Sequence, residues 1–113
     1  MLNDQAQKEI QEILSKVIRV DNMTDNNRNA IPNQFDINGT DFRLFQSYAS
    51  PIVMRHNGKT YIFKDYAYSK TTSKYRNQFL GETLKETNDK LKSGEYIAVD
   101  FEVSLWEKKK LIF

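Results

Sequence analysis

The 113 residues contain no cysteine. That excludes a disulfide framework and every zinc site built on thiolates. Histidine is almost missing too: His56 stands alone, so paired-histidine metal motifs are excluded. Only four glycines and two prolines occur, and no Gly-rich phosphate loop or nucleophile elbow is formed from them. No apolar run is long enough to cross a bilayer. The first twenty residues carry Asp4, Glu9 and Glu12 and read as neither a signal peptide nor a membrane span. The expectation is a soluble protein of the cytoplasm, without membrane contact and without a cofactor.

What is present is bulky and charged. Seven Phe, six Tyr and one Trp supply core material, and 28% of residues are charged. The net charge of +2 hides an uneven distribution. Residues 55–76 hold Arg55, Lys59, Lys64, Lys70, Lys74 and Arg76 against Asp65 alone, whereas both flanks are slightly acidic. Local charge of one sign, more than the total, attracts an anionic partner.

Ile10, Ile13, Leu14 and Val17 follow the spacing of one helical face, which predicts a helix over about 4–16 with Asn3 as N-cap. "VIRV" at 17–20 reads as a short strand, and the Asn/Asp-rich residues 21–33 as a loop. Two hairpins follow. Around Asn38-Gly39 a four-residue loop over 38–41 would set Asp36 opposite Arg43 and avoid an Asp36–Asp41 clash. Around Asn57-Gly58 a type I′ turn would pair Met54 with Tyr61, Val53 with Ile62 and Ile52 with Phe63. From Thr72 to about Lys92 the pattern is one long helix, capped by Thr71, Thr72 or Ser73, with Tyr75, Phe79, Leu80, Leu84 and Leu91 on its apolar arc. Ser93-Gly94 ends it. Residues 96–106 alternate as a half-buried strand. The expected fold is α+β: an antiparallel sheet of four to six strands packed on one long helix, with an N-terminal helix, in a single domain over 1–113.

No catalytic set emerges. His56 abuts a turn and reads as solvated. Asp100 and Glu102 share a strand face, a pair that can hold a metal or move a proton but that an outward strand face normally carries for solubility. The binding candidates lie in the basic segment: Arg55, Lys64, Tyr66, Tyr68, Lys70, Lys74, Tyr75 and Arg76. Lys70 and Lys74 sit at the positive end of a helix, where cations are unfavourable and free N–H groups favour anions. Lys74, Lys85 and Lys92 align in a row on one continuous helix. Arg76 falls on the apolar arc, where it must snorkel, reach a ligand or pair, with Asp65 as the obvious internal partner. Exposed tyrosines beside cations suit base stacking or a protein interface.

"FQSYASPIVM" followed by "DYAYSKTTSKYRNQFL" resembles a pattern in small uncharacterised proteins of phages and mobile elements of low-GC Gram-positive bacteria. Ser47, Tyr48, Ile52, Tyr68, Ser69, Thr71, Thr72, Lys74, Phe79 and Leu80 match. Tyr66 stands where Trp is expected, Ala67 where Asp is expected, and Val53 replaces Ala. The resemblance implies a phage or mobile-element origin and carries no activity with it. From that origin and the missing catalytic sets follows the expectation of a non-enzymatic protein that engages host machinery, a host protein or nucleoprotein concerned with nucleic acids or with defence (anti-CRISPR-like). The alternative is direct DNA or RNA binding through residues 55–76.

Overall fold

A computed structural model describes residues 4–99. Its order is α1 (Asp4–Leu14), β1 (Val17–Thr24), β2 (Ala30–Gly39), β3 (Phe42–Ser47), β4 (Ser50–His56), β5 (Lys59–Phe63), α2 (Lys70–Leu80), α3 (Leu84–Ser93) and β6 (Ile97–Val99). The six strands form one sheet in sequence order. The first five make an antiparallel meander, and β6 pairs with β5 in parallel. The architecture is α+β, as expected, but the sheet is mixed. A crossover through α2 and α3 carries the chain back towards the end at which β5 begins, so β6 runs parallel to it. Asn3, Asp100, Glu102 and the remainder of the alternating strand lie outside the described residues.

Side-chain alternation gives the sheet two buried faces. Ile37, Phe42, Leu44, Met54, Phe63 and Val99 point to one side and pack with Ile10 and Ile13 of α1. Phe45, Val53 and Ile62 point to the other and pack with Tyr75, Phe79 and Leu80 of α2 and Leu91 of α3. The core is therefore double, with the sheet as its middle layer.

The second hairpin has the register the sequence predicts, Val53↔Ile62 and Met54↔Tyr61. Asn57 and Gly58 both take positive φ, 52° and 75°, as a type I′ turn requires. The first hairpin is shifted: Asn38 lies opposite Arg43 and Asp36 opposite Phe45. Asp36 still meets Arg43, diagonally, through a two-pronged bond of 3.1 and 2.8 Å. Arg43 also stacks on Phe79, 4.5 Å from the ring centre, and so joins β2, β3 and α2. Gly39 does not supply a left-handed turn. Its lack of a side chain makes room for the Phe42 ring, which a Cβ would meet at 1.8 Å.

Two predicted features change. Residues 21–33 are largely strand, with a turn only at 25–29. There the Asp25 carboxylate accepts the N–H groups of Asn27 and Asn29 at 2.8 and 2.9 Å, a side-chain turn of the kind Asp favours. The long helix is two helices. Gly81 (φ 72°) closes α2, and Thr83 opens α3 through a capping box with Glu86. A cap at each end stabilises two short helices over one long one. The break also disperses the lysine row, since Lys85, bonded to Asp89 at 3.0 Å, and Lys92 belong to α3.

Glu82, between the two helices, binds the break to the sheet. Its buried carboxylate accepts from Thr87 Oγ1 (2.6 Å), Lys90 Nζ (2.7 Å) and Tyr96 Oη (2.8 Å). Burial pushes its carboxyl up, but the bonds from Lys90, Thr87 and Tyr96 together outweigh it and hold it below the ordinary glutamate range.

Two measurements check this frame. Gly39→Ala should lower stability by about 1–3 kcal/mol in urea unfolding, because the buried Phe42 ring must move. Glu82→Gln should cost on the order of 1–3 kcal/mol at neutral pH. A carboxyl depressed in the fold stabilises it above the unfolded-state value and loses that contribution as pH falls through the lower folded-state value. The gap between wild type and Glu82→Gln should therefore hold at neutral pH and narrow from about pH 4.5 downward; a gap independent of pH contradicts the assignment.

Candidate interface at the Tyr48–Lys70 end of the sheet

The segment between β5 and α2 is tied to the sheet through hydroxyls. Ser69 is the N-cap of α2, its Oγ accepting the Thr72 N–H at 3.1 Å. Thr71, Thr72 and Ser73 are therefore not the caps. Thr72 is fully buried; its Oγ1 lies 2.9 Å from Ser47 Oγ and accepts from Ser69 Oγ at 3.1 Å. A little further on, Ser50 Oγ donates to Asp65 at 3.2 Å. Both sides of the 48–49 turn are thereby fastened to the 65–72 segment.

Tyr48 stands at the apex of that turn. Ser47 pairs with Ser50 across it, and Tyr48 takes φ 55°, a left-handed conformation that a bulky residue adopts at a cost. Its backbone is held from two directions: its N–H donates to Asn33 O at 2.7 Å, and its C=O accepts from the Gln46 amide. The ring projects, 54% exposed. Tyr68, on the neighbouring segment, is 67% exposed. Lys70 and Lys74 stand exposed on the first turns of α2, and the first turn itself carries no acid. Lys74 lies 5.3 Å from the Tyr75 ring centre and within electrostatic reach of Asp25.

The eight residues singled out from sequence separate into three groups. Lys64, Tyr68, Lys70 and Lys74 are exposed at this end, and Tyr66 is half-buried, its hydroxyl donating to Asn88 at 2.8 Å. Arg55 is exposed but lies near the far end of β4, about 16 Å along the strand from Ser50. Tyr75 and Arg76 are inside, at 4% and 0% exposure, and present nothing to a partner in this conformation.

Arg76 is not paired with Asp65. It donates to the Tyr66 backbone oxygen, to Ser73 Oγ at 3.2 Å and to Asn77 Oδ1 at 2.8 Å. Its guanidinium carbon is 5.9 Å from the Tyr66 ring centre. Its Nε has no partner, and no carboxylate lies within ion-pair distance among the described residues. Burial depresses its pKa, with Tyr66 and Glu82 acting in the opposite direction. A neutral cage of oxygens and a ring holds this cation, and through the Tyr66 carbonyl Arg76 shapes the segment that carries Tyr68.

Sequence reasoning missed Tyr48 as a surface feature. The signal was available: a polar Ser-Tyr-Ala-Ser between two apolar runs reads as a tight hairpin, and its apex must be exposed. His56 is also not simply solvated. Its side chain is 15% exposed, and Nε2 lies 3.4 Å from Asp41 Oδ2. It borders an open cleft of about 420 Å³ between α1 and the hairpin tips, with Glu9, Glu12, Lys16, Lys59 and Tyr61 among its walls. No Ser, Thr or Cys lines that cleft, and no cluster of ligands fit to hold a metal occurs among the described residues.

Thr72→Val should leave the Ser47 hydroxyl buried and unpaired and cost about 1–3 kcal/mol. Ser47→Ala with Thr72→Val should cost clearly less than the two single changes summed, a coupling that a double-mutant cycle in urea reads directly.

No curated protein and no solved structure matches the chain. A family profile matches residues 18–96, from β1 to the Tyr96 that bonds Glu82, and so includes the whole Tyr48–Lys70 end while leaving out the α1 wall of the cleft. By that match over most of its length, the chain belongs to the Family of unknown function (DUF8033).

Proposed function

We propose that this protein is a non-enzymatic binding module of phage or mobile-element type, which engages host machinery through the Tyr48–Tyr68–Lys70–Lys74 surface. Its partner is a host protein or nucleoprotein of the cytoplasm, one that handles nucleic acid or serves defence in the manner of an anti-CRISPR target. The observation that carries this reading is Tyr48, an exposed aromatic on a left-handed turn whose backbone is pinned from two sides. Strain of that kind persists only where the surroundings enforce it. A tyrosine fixed in this way loses little entropy on binding, and with Tyr68 beside it forms an anchor typical of interface hot spots. Lys70 and Lys74 select a partner surface that is acidic.

Direct binding of DNA or RNA is the second reading, favoured by two exposed tyrosines near the exposed Lys70 and Lys74. With Arg55 distant and Arg76 buried, only two or three cations remain to meet phosphates. The logarithm of affinity should then fall with the logarithm of salt with a slope of only about −2 to −3.

The test is capture of host proteins by the full-length protein, with and without nuclease, identified by mass spectrometry. A single acidic partner retained after nuclease, and lost with Tyr68→Ala/Lys70→Glu/Lys74→Glu at unchanged unfolding midpoint, is the expected result. Nuclease-sensitive capture transfers the assignment to nucleic acid. Capture unaffected by the triple variant removes the function from this surface.

A further inference from the structure

The sheet ends at β1. Among the described residues no strand lies on its outer side, so a row of backbone N–H and C=O groups stands open there. Edge strands are ordinarily guarded by proline, by inward-pointing lysine or by irregular backbone. β1 reads VIRVDNMT, without proline or lysine, and its only guard is a register irregularity at each end, between Val17 and Arg19 and between Asn22 and Thr24. The regular stretch between them is Arg19–Asn22.

That stretch carries an unresolved charge problem. Asp21 lies directly opposite Asp36 in the β1–β2 ladder, and like charges at that spacing repel. Asp36 is compensated by the two-pronged bond from Arg43. Among the described residues Asp21 has an ion pair only with Arg19 of its own strand, 2.7 Å away, the Arg19 side chain exposed and the Asp21 side chain 45% exposed. The position on the open side of Asp21 calls for a cation held in the ladder, and the position on the open side of Arg19 calls for an anion.

We propose that a second copy of this chain fills both positions by pairing β1 with β1, antiparallel about a twofold axis at Val20. In that register Arg19 lies opposite the partner's Asp21, and Asp21 opposite the partner's Arg19. Residues 19 and 21 point to the same face, so both ion pairs form on one side of the joined sheet. On the other side Val20 meets the partner's Val20, a β-branched pair of the kind strands favour. Ile18, 70% exposed, stands at the irregular end beside this contact. Any other antiparallel register breaks this match: moving the axis by one position sets Asp21 opposite the partner's own Asp21 or Arg19 opposite the partner's own Arg19. The two irregular ends limit the contact to a few residues per strand, which places it among small, reversible interfaces. This inference is independent of the function proposed for the Tyr48–Lys70 end.

The test uses full-length protein in sedimentation or light scattering, from low micromolar to several hundred micromolar. The expected mass rises with concentration from 13.3 kDa towards twice that value, while amide exchange at Arg19–Asn22 slows in parallel. Arg19→Asp should weaken the dimer by about tenfold or more, and Arg19→Asp/Asp21→Arg should restore it. Arg19 is exposed and Asp21 half-buried, and an unchanged urea midpoint confirms that each variant folds; Arg19→Ala, expected to weaken the dimer by a smaller factor, replaces any variant that does not. A mass that stays at 13.3 kDa throughout overturns the proposal. So does a dimer indifferent to Arg19→Asp, or one that the double exchange fails to restore.

Discussion

The exposed end of this molecule depends on one contact, the 2.9 Å approach of Ser47 Oγ to Thr72 Oγ1. It joins the β3–β4 turn to the first turn of α2. Both hydroxyls are buried, so neither can turn to water instead, and separating them strands two polar groups. Ser69 links the helix cap to the same pair. Tyr48 and Tyr68 are thus carried on two segments that cannot move apart without opening the core. The serines and threonines of "SY" and "YS-x-TT" have a physical role here, since Ser47, Ser69 and Thr72 form one hydrogen-bonded chain.

Arg76 poses the opposite problem. A fully buried cation with no carboxylate within ion-pair distance among the described residues is costly, and its depressed pKa reflects that burial. The cost is offset by oxygens already fixed in place by the helix and by the Tyr66 turn. The nearby charge that steadies it is Glu82, itself engaged by Thr87, Lys90 and Tyr96. One electrostatic assembly therefore reaches from α2 through the helix break to the entry of β6.

Local signals were legible in the sequence and long-range ones were not. Asn57-Gly58 fixed its hairpin because a type I′ turn is set by two residues. Tyr75, Phe79 and Leu80 were readable as buried because periodicity reports a helix face. The break at Gly81 was readable too, since Gly followed by Thr83-x-x-Glu86 is a stop and a start; apolar spacing across it obscured the signal. β1 could not be read from Asn and Asp residues that ordinarily make turns, because its strand conformation comes from pairing with β2. The parallel placement of β6 likewise depends on where two helices return the chain. At the site, exposure of Lys70, Lys74 and Tyr68 agrees with their polarity. The burial of Arg76 among neutral oxygens is a tertiary arrangement, and no pairwise rule pointing to Asp65 could anticipate it.

The cations at the positive end of α2 gain a physical meaning from this arrangement. Lys70 and Lys74 destabilise the helix by a few tenths of a kcal/mol each through the dipole, and no acid in the first turn offsets them. Helix stability alone would favour Asp or Glu there. Thr72 is occupied by Ser47, Ser69 by the cap, and Arg76 by the Tyr66 carbonyl, so the buried contacts do not require the lysines. These cations, next to two tyrosines held outward, would suit the acidic partner proposed above: binding would relieve the repulsion, and the rigid frame beneath would keep the entropic cost low.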